Sequence, residues 1–123
     1  DCPVSGGSDY GSALSWRTIL DKAQTPSSGM TAGVIDMLPG ALGKLHWHAQ
    51  PEIYYVLSGT GEVEIQGAKH LLKPNTVVFI PGNAPHALTN TGTDSLKIFY
   101  VFAADSMADI TYIFQDGAKM VLR

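Results

Sequence analysis

Hydrophobic and polar residues alternate along most of this chain, in short runs separated by turn-forming residues. Met30 to Leu38, Glu62 to Ile65 and Leu96 to Ala103 are such runs, and Gly, Pro, Asn and Ser residues interrupt the pattern. Alternation with a period of two places every second side chain on the same face of a β-strand. Short strands that recur about every 8–12 residues are typical of antiparallel sandwiches and barrels. The sequence therefore predicts one all-β domain.

The N-terminal region allows two interpretations. Residues 1–12 are rich in Gly and Ser, which is typical of a loose or peripheral arm. In the segment that follows, the spacing of Trp16, Ile19 and Leu20 is that of a helix. The alternation of Trp16, Thr18 and Leu20 is instead that of a strand. We expect the chain to divide into an N-terminal arm with a short helix or strand (1–28), a β-barrel (29–116) and a C-terminal tail (117–123).

Length and charge restrict the possible partners. The chain has 123 residues, enough for one domain with a hydrophobic core, and a formal net charge of -3. It has no basic stripe and no apolar run of the roughly 18 residues that a membrane span needs, so we expect neither nucleic acid nor a membrane as a partner. Because Cys2 is the only cysteine, an intramolecular disulfide is excluded, and we expect a cytoplasmic protein. The chain begins with Asp1 and not Met, which leaves a processed precursor as an open alternative.

Three of the four histidines and one glutamate are spaced like metal ligands. His46 and His48 lie two residues apart, so a strand would direct both rings to one face, and Glu52 keeps that parity if the strand continues. His86 follows a Pro-containing turn at the start of another predicted strand. Imidazoles and a carboxylate suit one divalent transition metal, Fe, Mn, Zn, Ni or Co, with positions left for water or substrate. His70 follows a hairpin turn, and we expect it to be exposed and outside the site.

The same ligands form part of a longer motif, Gly40-x5-His46-x-His48-x3-Glu52-x6-Gly59. This motif resembles the first motif of the cupins at every defining position. The resemblance implies an all-β fold, a single jelly-roll barrel (double-stranded β-helix) that holds the metal inside.

A second cupin motif is matched by Asn75-x5-Pro81-x-Asn83-x2-His86-x3-Asn90, in which asparagine replaces two glycines. Asparagine tolerates a positive φ better than most other non-glycine residues, so we expect both turns to be retained. The resemblance implies that His86 completes the ligand set.

Two tyrosines are candidate catalytic residues. Tyr54 follows Glu52 by two positions and should point inward beside the metal, either as a base or as a core tyrosine whose hydroxyl bonds a ligand. Tyr112 lies in a terminal strand and either presents its hydroxyl to the substrate or belongs to a covered edge. Tyr100 and Phe102 share a face, and either line the floor of the pocket or belong to the core.

The segments Pro51–Val56 and Ile80–Ala87, together with Tyr112, resemble the small cupins that cleave dimethylsulfoniopropionate. In such a cupin a divalent metal binds the substrate carboxylate, a tyrosine removes the neighbouring proton, and dimethyl sulfide leaves to give acrylate. By position, Tyr54 and Tyr112 match tyrosines of that family. Two alternatives remain open: an Fe(II) dioxygenase or an isomerase of a small acid or sugar, and a cupin that binds a small ligand without catalysis.

The expected partners are a small carboxylate substrate and a second copy of the chain. Small barrels leave sheet edges and apolar outer faces that a homodimer covers. Trp16, Tyr55 and the pair Leu71 and Leu72 are the candidates for this outer surface.

Overall fold

The computed structural model of the protein describes residues 4–6 and 13–121, and Cys2 lies outside these ranges. The described residues form strands and one 3-10 turn, Met107–Asp109, and none of their helices could cross a membrane. The strands are β1 (Val4–Gly6), β2 (Leu14–Leu20), β3 (Thr31–Met37), β4 (His46–Trp47), β5 (Glu52–Ser58), β6 (Gly61–Ile65), β7 (Ala68–Leu72), β8 (Val77–Ile80), β9 (His86–Thr89), β10 (Leu96–Phe102), β11 (Thr111–Phe114) and β12 (Lys119–Val121).

The strands form two six-stranded antiparallel sheets. Sheet one has the order β1-β2-β3-β10-β5-β8, and sheet two has the order β12-β11-β4-β9-β6-β7. The predicted all-β class is therefore confirmed. Both sheets extend beyond residues 29–116, because β2 pairs with β3 in sheet one and β12 pairs with β11 in sheet two.

The core lies between the sheets and follows from strand alternation. In β10, Leu96 and Ile98 are fully buried, while Lys97 between them is exposed. Each such aliphatic side chain stabilises the fold by about 1.5–3 kcal/mol relative to an exposed position. The inward row of β10 continues into Tyr100 and Phe102, so the same alternation that builds the core also directs aromatic rings towards the barrel interior.

The ambiguous N-terminal segment is a strand, which settles the choice between helix and strand. Leu14–Leu20 pairs along β3, and Trp16 packs into the core with only 8% of its surface exposed. The prediction that Trp16 belongs to the outer surface is therefore wrong. Leu72 is also buried, at 2% exposure, whereas its neighbour Leu71 is 80% exposed.

The expectation that Glu52 shares a strand face with His46 and His48 is wrong, because the strand that carries the histidines does not continue to Glu52. The chain breaks around Pro51, so β4 ends at Trp47 in sheet two and β5 begins at Glu52 in sheet one. Proline donates no backbone hydrogen bond, which favours such a break. Glu52 consequently does not share a strand face with His46 and His48, and it meets them from the opposite sheet.

The two asparagines of the second motif adopt the backbone conformation predicted for them. Asn75 has φ 70° and Asn83 has φ 64°, in the left-handed region that glycine otherwise occupies. The amide of Asn83 donates to the carbonyl of His48 at 2.7 Å. This turn therefore connects the segment before His86 to the segment that carries His48.

Candidate metal centre

Three histidines converge on one point inside the barrel. His46 in β4 and His86 in β9 are cross-strand partners, and His48 follows directly after β4. Their candidate ligand nitrogens all lie within 4.8 Å of one another, and all three residues are buried. The triad is therefore positioned to bind one metal ion.

Short hydrogen bonds orient each imidazole. In every case Nδ1 lies 2.8 Å from a backbone carbonyl two residues away; the pairs are His46 with Lys44, His48 with Gln50 and His86 with Ala84. A carbonyl only accepts hydrogen bonds, so Nδ1 carries the proton and Nε2 presents a lone pair. This arrangement is common around metal-binding histidines, because it fixes both the tautomer and the ring orientation.

Glu52 approaches the triad from sheet one. Its Oε1 lies 3.3 Å from Nε2 of His48 and 3.5 Å from Nε2 of His86, and the residue is 3% exposed. These three atoms are buried and have no hydrogen-bond partner among the described residues. Two imidazole lone pairs that face a carboxylate oxygen are unfavourable without a cation between them. The residues present therefore fit a bound divalent metal.

The electrostatics of the site agree with this donor set. Burial, together with repulsion from His86, lowers the pKa of His46 to about 3, so its imidazole is neutral at physiological pH. Burial acts to raise the pKa of Glu52, but His48 and His86 outweigh burial and lower that pKa. Glu52 is therefore an ionised carboxylate at physiological pH, which is the form that binds a metal cation. Neutral imidazoles with one carboxylate are ordinary ligands of first-row divalent metals.

A small cavity of about 50 Å³ opens beside these ligands. Aromatic and aliphatic side chains make up most of its wall; the lining residues are Leu14, Trp16, Ile35, Gly43, His46, Glu52, Tyr54, Leu88, Tyr100, Phe102, Met107 and Tyr112. None of these residues is Lys or Arg. A bound anion would therefore be neutralised by the metal and not by a cationic side chain of the described lining.

Both candidate catalytic tyrosines lie in this wall. Tyr54 is 3% exposed, and its ring centroid is 6.4 Å from that of His86. Tyr112 is 6% exposed and stacks on His46, with 5.2 Å between ring centroids and 10° between ring planes. The inward direction expected for Tyr54 from strand parity is confirmed.

Tyr100 differs from the other two tyrosines of the cavity. Its hydroxyl is hydrogen-bonded to Oγ1 of Thr18 at 2.7 Å. Burial, with added repulsion from Glu52 and Asp21, raises the pKa of Tyr100 to about 12. A phenol that is engaged in this way and ionises only in strong alkali is a poor base, so Tyr100 serves as part of the wall.

Sequence reasoning missed several lining residues of the N-terminal region and of the 3-10 turn, namely Leu14, Trp16, Ile35 and Met107. A signal for Trp16 was present in the alternation around Thr18, which would have predicted an inward ring if read as a strand. Met107 carried no comparable signal, because the 3-10 turn has no periodic pattern. His70 is exposed in β7, as expected.

Comparisons with known proteins extend these observations. The sequence profile described as "Cupin domain" matches residues 33–102. The chain is 36% identical over 118 residues to dimethylsulfoniopropionate lyase DddW from Ruegeria pomeroyi, a match that covers 94% of this chain and 76% of that protein. It is 25% identical over 100 residues to 5-nitrosalicylic acid 1,2-dioxygenase from Bradyrhizobium sp, covering 78% of this chain and 48% of that protein.

The fold is also found among solved structures. Oxalate decarboxylase from Lactobacillus farciminis, in complex with formate, superposes with a TM-score of 0.75 at 20% sequence identity. The match covers 98% of this chain and 33% of that one. At this level of identity the likeness concerns the fold alone, and it agrees with the predicted jelly-roll barrel.

Proposed function

Because the chain belongs to the cupin family, we propose that it is a metal-dependent lyase that cleaves dimethylsulfoniopropionate into dimethyl sulfide and acrylate. The observation that carries the proposal is a histidine triad beside a small aromatic cavity that His46, Glu52 and two tyrosines line. The relationship to dimethylsulfoniopropionate lyase DddW, over most of the chain, supports the same reaction.

Four residues of the chain would hold one divalent transition metal: His46, His48, Glu52 and His86. The donor set accepts Fe, Mn, Zn, Ni and Co. Bound there, it supplies a Lewis acid that neutralises a substrate carboxylate and stabilises the charge that develops on it. This role accounts for a carboxylate-binding cavity without a lysine or arginine in its described lining.

Tyr54 is the proposed base. In the elimination, the Tyr54 phenolate oxygen takes the proton from the carbon next to the carboxylate, and the electrons of that C–H bond form the double bond of acrylate. The carbon–sulfur bond breaks, and its electron pair leaves with dimethyl sulfide. Tyr112 is the second candidate for this role, whereas the raised pKa of Tyr100 makes that phenol a poor base. A positioned general base typically contributes about 10²–10⁴-fold to a rate.

The aromatic wall suits the cationic end of such a substrate. Trp16, Tyr100 and Phe102 line the cavity together with the two candidate bases. A sulfonium group close to aromatic faces is stabilised by cation–π attraction. The cavity thus combines an anion-binding end at the ligands with a wall that accepts a positive charge.

The test is headspace detection of dimethyl sulfide after the protein has been stripped and reloaded with each metal in turn. Tyr54→Phe should abolish release while the metal stays bound. Tyr55→Phe is the matched control: it lies on the outer face of β5, its hydroxyl donates to Oδ1 of Asn75 at 2.7 Å, and activity should be unchanged. Release that survives Tyr54→Phe would move the base to Tyr112. No release with any metal would reject the lyase.

An Fe(II) dioxygenase of a small acid is the second candidate function. It uses the same ligands, and the relationship to 5-nitrosalicylic acid 1,2-dioxygenase favours it. Oxygen uptake by the Fe(II)-loaded protein with small carboxylates distinguishes the two, because elimination consumes no oxygen. An isomerase is disfavoured, since Glu52 is the only carboxylate in the described lining and serves as a ligand.

We also propose that the chain forms a homodimer through the outer face of β10, β5 and β8. Two cross-strand rows cover this face: Val101, Ile53 and Phe79, and then Phe99, Tyr55 and Val77. Neither row contains a charged residue, so two negatively charged copies can meet there without like-charge contacts. β8 is the edge strand of its sheet in the described part of the chain, and pairing two copies about a twofold axis would cover it.

Light scattering in solution tests the dimer. Phe79, which is 61% exposed, is the central residue to change, and Phe79→Lys should yield a monomer. Leu71→Lys alters a leucine of sheet two that is 80% exposed, and it should leave the dimer intact. A monomeric wild type, or a dimer that only Leu71→Lys dissociates, would contradict this interface.

A further inference from the structure

The segment between β10 and β11, residues 103–110, carries the chain from sheet one to sheet two and forms one side of the cavity. We call it the crossover wall. Met107 of this wall lines the cavity and is 7% exposed. Tyr112, two residues beyond the wall, lines the same cavity and stacks on His46. The wall thus leads directly into β11, the strand that carries Tyr112.

A buried carboxylate that the proposed reaction does not use holds this wall. Asp21 lies directly after β2 and is 6% exposed. Its Oδ2 accepts a hydrogen bond from the amide of Met107 at 2.9 Å, and its Oδ1 accepts one from the amide of Ala23 at 2.8 Å. Burial acts to raise the pKa of Asp21, but these bonds and one from Ser106 outweigh it and lower the pKa. The bonds are therefore made to an ionised carboxylate, which makes them stronger than neutral ones.

Further bonds attach the same part of the wall to the turn between β2 and β3. Thr31 Oγ1 donates to the carbonyl of Ala104 at 2.8 Å in a buried position. The amide of Lys22 donates to the carbonyl of Asp105 at 2.9 Å. The first half of the wall thus depends on residues that lie more than seventy positions earlier in the chain.

The far end of the wall is attached to the ligand segment. Gln50 Nε2 donates to the carbonyl of Asp109 at 3.3 Å, and the carbonyl of Gln50 is the acceptor that orients His48. The wall is consequently held between the β2–β3 turn and the segment that carries His48. Of these attachments, only the one made by Asp21 combines a buried charge with a direct bond to a residue of the cavity lining.

We propose that Asp21 is a positioning residue of the site, whose carboxylate holds Met107 and thereby sets Tyr112 against His46. Asp21 does not line the cavity and acts through the crossover wall. If the role of Asp21 were purely structural, its replacement would change only the free energy of unfolding. If Asp21 positions the site, its replacement must also change the environment of the Tyr112 ring. Only the kinetic part of the test below rests on the proposed lyase function.

The structural test uses 3-fluorotyrosine and ¹⁹F NMR on the full chain. The protein has five tyrosines, and the resonance that is lost in Tyr112→Phe identifies Tyr112. Asp21→Asn should shift or broaden this resonance. Asp36→Asn is the charge-matched control, because Asp36 is an exposed residue of β3 paired with Lys97 at 3.8 Å, and it should leave the resonance in place. An unchanged Tyr112 resonance in folded Asp21→Asn would overturn the proposal.

Asp21→Glu covers the case in which Asp21→Asn does not fold. The longer side chain keeps the charge and the acceptors but displaces the point at which Met107 is held. It should therefore shift the Tyr112 resonance in a folded protein. A resonance at the wild-type position in this variant would count against a positioning role.

The kinetic test is a double-mutant cycle on dimethyl sulfide release with equal metal content in all variants. Asp21→Asn should reduce kcat about tenfold in the wild-type background and have almost no effect in Tyr112→Phe, since residues that act through one another are not additive. Additive effects would reject the proposal. If the wild type releases no dimethyl sulfide, the lyase function fails, and the ¹⁹F experiment alone decides the role of Asp21.

Discussion

The two sheets contribute different parts of the candidate centre, and they place them in different ways. Sheet two supplies His46 and His86 on the adjacent strands β4 and β9, with His48 directly after β4. Each ring is oriented by a carbonyl two residues away. Sheet one supplies Glu52 and Tyr54 from β5, and their position relative to the histidines depends on how the sheets pack. The nitrogen ligands are thus organised locally, whereas the carboxylate and the proposed base are organised by tertiary structure.

This difference suggests that the two sheets contribute unequally to metal affinity. Changes to the histidines of sheet two should weaken metal binding most, and a change at Glu52 of sheet one should weaken it less. Changes at Tyr54 or in the crossover wall that joins the sheets should act mainly on the reaction. The following predictions test this division, beginning with the largest expected effect.

Removal of one imidazole should have the largest effect. His86→Ala deletes a ligand at the centre of sheet two, and the affinity for Co(II) or Zn(II) should fall by more than about 100-fold, which exceeds the loss usual for residues that only support a ligand. Metal content after dialysis measures this loss. His70→Ala is the control, since His70 is exposed in β7 and should not alter metal content. Retention of the metal by His86→Ala would contradict the assigned ligand set.

Glu52→Gln should weaken metal binding less, by about 10–100-fold, because the amide oxygen can still serve as a ligand. Metal content after dialysis measures this loss, and an affinity equal to that of the wild type would contradict the assignment of Glu52 as a ligand.

Asp21 should make folding stability depend on acidity. Its pKa in the folded protein lies below the ordinary value of 3.8, so the unfolded chain binds a proton at this carboxylate first as the pH falls. The stabilisation is therefore fully present above pH 3.8 and is lost as the pH falls through the lower pKa of the folded state. We expect urea unfolding to show that the free energy of unfolding falls less between pH 6 and pH 2.5 in Asp21→Asn than in the wild type. An equal decline in both proteins would exclude this contribution.

The turn before His86 should show the smallest effect. Asn83→Ala places a side chain without special tolerance at φ 64°, at a cost of about 1 kcal/mol in the free energy of unfolding. Asn83→Gly restores the residue that the second cupin motif has at this position and should be close to neutral. Chemical denaturation compares the two variants. Equal losses would indicate that the asparagine side chain, and not the backbone conformation, matters at this turn.

The sequence was a good guide where the structure depends on local spacing. The ligands His46, His48 and His86 and the inward direction of Tyr54 follow from alternation and from the two motifs. The left-handed turns at Asn75 and Asn83 follow from the residue type that those turns require. Each of these expectations depends on the side-chain period or on the residue type at a single position.

Strand alternation gave a wrong prediction of side-chain position where the chain passes from one sheet to the other. Glu52 was expected on the same strand as the histidines, yet the break around Pro51 moves it to the opposite sheet, where it reaches the same point from the other side. Glu52 lies beside the histidines, but strand parity is not the reason for its position. Trp16 was placed on the outer surface for a similar cause, because the pairing of β2 with β3 decides which face of that strand is buried.

By itself, the amino-acid sequence determined the β class of the protein, its motif residues and the turns between its strands, because these depend on the side-chain period and on backbone preferences of single residues. Only the tertiary structure decided that Glu52 faces the triad across the barrel, that Thr18 engages the hydroxyl of Tyr100, and that Asp21 holds the wall next to Tyr112. These contacts join residues from different strands and loops, often far apart in the chain, and they form only when the two sheets pack against each other.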